Sequence, residues 1–215
     1  MGSARGPEQG FTMVEQLVIV AVIAILAAIA VPSFLFTLRR ERVNALAFHT
    51  AGWLEEVRSI AAREVNPAVG AGGCAIVIAA NQSDAGAGDV IAGLSGCTSR
   101  ELLLRVPDTW GGRFQLSHSI PTGSISNAPS SADCTASGIP VPLCTGSVRL
   151  FFTPRGMWSS DSVVNLRDDL EIRISPADGD GPRRCVRLSS ILGSIDIGSA
   201  SGGGVASGCD DYARI

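Results

Sequence analysis

Glu15 stands where a carboxylate needs a chemical partner. The local sequence is Gly10-Phe11-Thr12-Met13-Val14-Glu15, and it opens onto residues 16–38, a stretch of 23 positions with no formal charge. A carboxylate inside a bilayer costs about 2.5–3.5 kcal/mol on insertion scales, and such groups are normally paired. Hydrolysis of the Gly10–Phe11 peptide bond would supply the partner, because the new amine at Phe11 lies four residues before Glu15. Within one helix that spacing brings the charges together. Between neighbouring copies the same pair would set axial register. Gly10 and Phe11 are therefore candidate processing residues, and Glu15 is a candidate assembly residue.

A second chemistry is carried by six cysteines: Cys74, Cys97, Cys134, Cys144, Cys185 and Cys209. All follow the uncharged stretch, and none forms a C-x-x-C pair, so zinc or thioredoxin-like chemistry has little support. An even count beyond a membrane-length segment points to disulfides in an oxidising compartment. Sequential pairing, 74–97, 134–144 and 185–209, is the expectation, with scattered buried thiols as the alternative.

Hydrolytic or transfer chemistry finds no foothold. His49 and His118 fall in different regions, and no nucleophile elbow, zinc-helix motif or phosphate-binding loop occurs. Asp178 and Asp180 lie in a Gly-rich turn, but a calcium loop needs more oxygen ligands and a terminal Glu. A hairpin turn is the simpler reading. Asp168, Asp169 and Glu171 read as a solvated strand end. No metal, cofactor or catalytic residue is expected, and the protein reads as a non-enzyme.

These residues must be positioned by few elements. The uncharged segment would be roughly 35 Å long as a helix, enough to cross a bilayer core. It is too long for the apolar core of a secretory signal, which runs about 7–15 residues. From Arg39 the apolar positions Val43, Leu46, Ala47, Leu54, Val57, Ile60 and Ala61 recur near helical spacing, so the helix should continue to about Asn66 as an amphipathic rod. "NPAVGAGG" then breaks it. The remainder reads as strands: 74–80, 101–106, 113–119, 148–153, 162–166, 170–175, 184–189 and 193–198. Alternation is clearest in "LEIRIS" and "RCVRLS". Trp53, Trp110 and Trp158 are read as core. The expected fold is α+β, with a long N-terminal transmembrane and amphipathic helix and a C-terminal antiparallel β head. The expected divisions are 1–10 leader, 11–38 transmembrane helix, 39–66 amphipathic continuation and 67–215 head.

Overall charge is −3 and mean hydropathy +0.29. From Pro67 onward there are 11 Arg against 14 Asp plus Glu. That balance argues against a nucleic-acid binder, which usually carries a basic patch. All 17 basic residues are Arg, which reads as compositional bias.

The stretch "GFTMVEQLVIV" resembles the class III leader and N-terminal helix of type IV pilins and type II secretion pseudopilins. The resemblance assigns Gly10 to the residue before the scissile bond, Phe11 to the N-methylated residue and Glu15 to the filament-assembly glutamate. Pro32, in "AIAVPSF", resembles the helix-kinking proline. Met13 and Gln16 depart from the commoner Leu, and the leader has one base, Arg5, against one acid, Glu8. Arg39, Arg40 and Arg42 would by charge alone mark a cytoplasmic flank, but the leader must face its peptidase in the cytoplasm and is the more specific signal. "FTPRG" (152–156) and "RRCVRLSSILGSI" (183–195) resemble the head of the GspH/FimT group. The resemblance implies a minor pilin or pseudopilin, anchored by one pass in a bacterial inner membrane with its head in the periplasm, then assembled into a filament. Its partners would be a prepilin peptidase, other pilin subunits, the inner-membrane assembly platform and membrane lipid. It also raises DNA binding through Arg183, Arg184 and Arg187, against which stand the flanking Asp178, Asp180 and Asp196. An unassembled membrane-anchored periplasmic protein is the remaining alternative.

Overall fold

The computed structural model describes residues 11–64, 74–95, 97, 102–109, 111–119, 129–159, 169–179, 181–189, 193–201, 205 and 207–214. The leader 1–10 with Gly10, the expected strand 162–166, and Trp110, Asp168 and Asp180 lie outside them. The described chain is α+β, as expected: one long N-terminal apolar helix and a C-terminal antiparallel β domain.

Helix α1 spans Met13–Arg63 and runs through Pro32. Proline removes one backbone donor, so the helix lacks one ladder bond at that point. The chain divides into two compact units at Leu38/Arg39. Up to Leu38 the large apolar side chains are exposed, Leu17 at 66%, Ile29 at 72% and Phe34 at 63%. A surface this apolar calls for lipid or another protein. The helix is long and apolar enough to span a membrane.

From Arg39 the α1 residues belong to the folded head. Val43, Leu46, Ala47, Ala51, Trp53, Leu54, Val57 and Ala61 are buried at helical spacing in one cluster with strand residues. The head carries two sheets. The first has the order β4-β3-β1-β6-β7, built from Leu103–Arg105, Val90–Ser95, Cys74–Ile78, Val148–Phe152 and Trp158–Ser159. The second has the order β11-β10-β9-β8-β5-β2, from Asp211–Arg214, Ile195–Ser201, Pro182–Leu188, Leu170–Pro176, Phe114–Ser119 and Gln82–Ala85. Among the described residues all strand pairings are antiparallel.

One side of β1 (Cys74, Ile76, Ile78) joins the main core, together with Leu150 and Phe152 of β6 and Ile172, Ile174, Val186 and Leu188 of the second sheet. The other side (Val77) packs on Cys134 and Ile139, covered by a short helix α2, Ser131–Ala136. β1 is therefore buried on both faces, which is why it reads as a continuous apolar run. Helix α2 starts in a complete capping box between Ser130 and Asp133, which satisfies two otherwise orphan donors. Trp158 ties the sheets by donating its indole N–H to the Leu188 carbonyl at 3.1 Å.

The expected strands within the described residues are found, with β4 shortened to Leu103–Arg105, and α1 is assigned to Arg63. Unexpected are β2, β3, β7, β11 and α2. Gly93 in β3 explains one omission: glycine weakens a strand reading, yet a Cβ there would lie 1.9 Å from the Ser137 carbonyl oxygen. Only glycine lets the end of α2 approach that closely.

Candidate functional site

The processing and assembly residues fall at the start of α1. Thr12 precedes the first helical residue and its Oγ1 accepts the Glu15 backbone N–H at 3.3 Å. The first backbone bond runs from Gln16 N–H to the Thr12 carbonyl at 3.2 Å. Thr12 is thus the N-cap and Glu15 the third helical residue, the T-x-x-E spacing of a capping box. A carboxylate in the first turn is also favoured by the helix dipole. The role of Thr12 was absent from the motif reading, though the T-x-x-E spacing displays it. Capping gives Glu15 a local reason to stand in the first turn. Phe11, 68% exposed, lies just before the cap. Pro32 sits inside the exposed apolar part of α1, followed by a Thr37 hydroxyl that donates to the Ser33 carbonyl at 3.0 Å.

The six cysteines form three disulfides, Cys74–Cys97, Cys134–Cys144 and Cys185–Cys209, the sequential pattern. The second ties α2 to the turn after it. The third holds the C-terminal tail on β9.

Strand alternation separates the three arginines considered for DNA. Arg183 and Arg187 share one face of β9 with Cys185, and Arg184 points to the other. Arg184 Nε donates to the Asn44 side chain of α1 at 2.5 Å. Arg183 is only 4% exposed and donates to the Gly208 carbonyl at 2.8 Å. Arg187 pairs with Asp196 at 3.3 Å and lies over the Tyr212 ring, 3.9 Å from its centre. They therefore form no common exposed basic surface. A period-two reading of the sequence already predicts the split.

What the sequence did not disclose is the polar layer under the tail. Glu171 and Arg173 on β8 pair at 3.0 Å. Arg173 also donates to the Ser119 hydroxyl at 2.8 Å and the Val205 carbonyl at 3.3 Å. Glu171 accepts the Cys209 N–H at 3.2 Å. Burial pushes the Tyr212 phenol up to about 12, helped by the Glu171 charge and a hydrogen bond to Glu171, against the pull of Arg187 and Arg173. Glu171 thus belongs to a covered network and is no solvated strand end. Glu171, Cys185 and Cys209 lie close together, but a disulfide offers no thiolate for a metal.

His49 is exposed on α1 and His118 is half-buried on β5, where burial lowers its pKa. The two are not brought together. Asp178 is taken up by Arg39 at 2.9 Å. Trp53 and Trp158 are buried, as a core role requires.

The two segments that resemble the GspH/FimT head do meet. Gly193, at φ +58°, lies where a Cβ would fall 2.0 Å from the Gly156 carbonyl oxygen. Gly156, at φ +77°, is in turn closed in by the Arg58 side chain of α1.

No family model, curated protein or solved structure matches the chain. The likeness to pilins rests on the N-terminal residues and on the architecture: a long apolar N-terminal helix followed by an antiparallel β-sheet head.

Proposed function

We propose that this chain is the precursor of a minor type IV pilin or type II pseudopilin. The observation that carries the reading is the coincidence at one helix end. A Gly-Phe bond stands just before a capped helix start, Glu15 lies in its first turn, and the residues from Leu17 to Phe36 are mostly apolar and exposed. In this account a prepilin peptidase cuts Gly10–Phe11 and methylates Phe11. The apolar part of α1 holds the subunit in the inner membrane with the head in the periplasm. On assembly Glu15 pairs with a Phe11 amine and the apolar helices exchange lipid for one another. The head is a structural and docking body without catalytic chemistry. Its disulfides suit an oxidising compartment.

The DNA-binding alternative gains nothing from the arrangement of Arg183, Arg184 and Arg187, each of which is engaged within the head. The test of the main reading is expression beside a prepilin peptidase and an assembly system. Gly10→Val is expected to leave the precursor uncut. Glu15→Ala is expected to be cut normally yet to be missing from the sheared filament fraction. Normal filament entry of Glu15→Ala would favour a role without assembly through this carboxylate.

A further inference from the structure

The head contains a cavity of about 320 Å³ at its first residues. Its rim carries Arg39, Arg42 and Arg113 against one carboxylate, Asp178, and its floor includes Val43 and Phe114. That size lies near the lower end of the roughly 300–1,000 Å³ range of small-ligand pockets. Three guanidinium groups around one opening are an anion-binding chemistry, because the planar fork of arginine matches the oxygens of phosphate. Existing partners hold Arg39 and Arg42 only loosely, whereas Arg113 is closely paired and adds background charge. Arg42 Nη1 holds the Gly111 carbonyl by a long 3.3 Å bond, and Arg113 reaches outward to Asp84. The Arg39–Asp178 pair is half-exposed on both sides, 51% and 44%, so it can be exchanged at little cost. A side chain at Gly111 would meet nothing within 4 Å, which leaves room beside Arg42.

We propose that this cavity binds a phosphate group, with an anionic phospholipid headgroup as its source. Arg39 is the residue that directly follows the uncharged stretch 16–38. Arginines at the end of a membrane-spanning helix reach the headgroup level, and an arginine rim above an apolar floor suits a glycerophosphate with its attached carbons. The lipid source rests on the membrane-anchored reading above; the phosphate chemistry does not. Occupancy gives Arg39 and Arg42, otherwise contrary to the charge rule for this side of the membrane, a specific anionic partner.

The test uses the full chain in lipid nanodiscs containing phosphatidylglycerol with phosphatidylcholine, or phosphatidylcholine alone. Retained lipid is counted by native mass spectrometry after release. A second arm titrates inorganic phosphate and glycerol 3-phosphate into the full chain in an uncharged detergent. Preferential retention of phosphatidylglycerol is expected. Arg42→Gln should weaken it at least about tenfold, the scale of one charge-assisted bond. Asp178→Asn should strengthen it, a direction that a folding defect would not produce. Phosphate binding that responds to both substitutions, without lipid preference, overturns the lipid source. Absence of binding in both arms, or binding indifferent to both substitutions, overturns the site. Failure of the chain to enter nanodiscs contradicts the membrane reading separately, since the detergent arm still reads the cavity.

Discussion

Removing the Cys185–Cys209 bridge should release the tail and expose the polar layer on the second sheet. The perturbation is Cys185→Ser with Cys209→Ser, which leaves the other two bridges in place. The sequence separation is 24, and the loop-entropy relation gives about 3.5 kcal/mol at 25 °C for a loop of that length. For a domain of this size each kcal/mol shifts Tm by about 2–4 °C, so a fall of about 7–14 °C is expected. The local readout is stronger, because Tyr212 is the chain's only tyrosine. Its phenol, now pushed up to about 12 mainly by burial and then by Glu171, should titrate closer to 10 once the tail is free. Absorbance of the tyrosinate ion follows that single group. The sign for the intact protein is also fixed. A raised phenol contributes stability that is complete below about pH 10 and is lost as pH rises through about 12. If the double variant loses under about 1 kcal/mol and its phenol still titrates near 12, the tail is held by its polar contacts alone and the reasoning is wrong.

Three further outcomes follow from other parts of the molecule. Gly193→Ala places a methyl 2.0 Å from the Gly156 carbonyl oxygen at positive φ; denaturant unfolding should show a loss of about 2–4 kcal/mol, with Gly179→Ala, which meets nothing within 4 Å, losing only the roughly 1–2 kcal/mol of a left-handed residue. Leu54→Ala, fully buried where α1 meets the head core, should cost about 2–5 kcal/mol in the same assay. His118 has a pKa below its ordinary 6.5 because burial disfavours the imidazolium; its contribution to stability should be present above pH 6.5 and be lost as pH falls below it, and His118→Gln should flatten that acid limb of the unfolding profile.

The strands that could be read in the sequence are those with one face buried. In β6 and β8 buried and half-buried residues alternate along most of the strand, and so do their side chains. β3 escaped because its glycine, Gly93, serves a contact with Ser137, 44 residues further along, and β11 because its pairing on Gly198 lies within a Gly- and Ser-rich tail. Alternation that located β9 also determines that Arg184 faces away from Arg183 and Arg187, so the basic cluster is separable from the sequence alone. The Glu171–Arg173–Tyr212 layer was not legible, because nothing local says that a tail disulfide will cover a charged strand face. At the helix start the reverse holds. Thr12 and Glu15 display their cap by spacing alone, while the second partner expected for Glu15 lies on a new chain end that only processing would create.

The central claim is decided at that chain end. Intact mass and N-terminal sequencing should be carried out on the protein recovered from membranes and from sheared surface filaments. The account predicts a chain that begins at N-methyl-Phe11, ten residues shorter than the precursor, and present in the filament fraction. A chain in both fractions that still begins at Met1, or a protein confined to membranes, would contradict it.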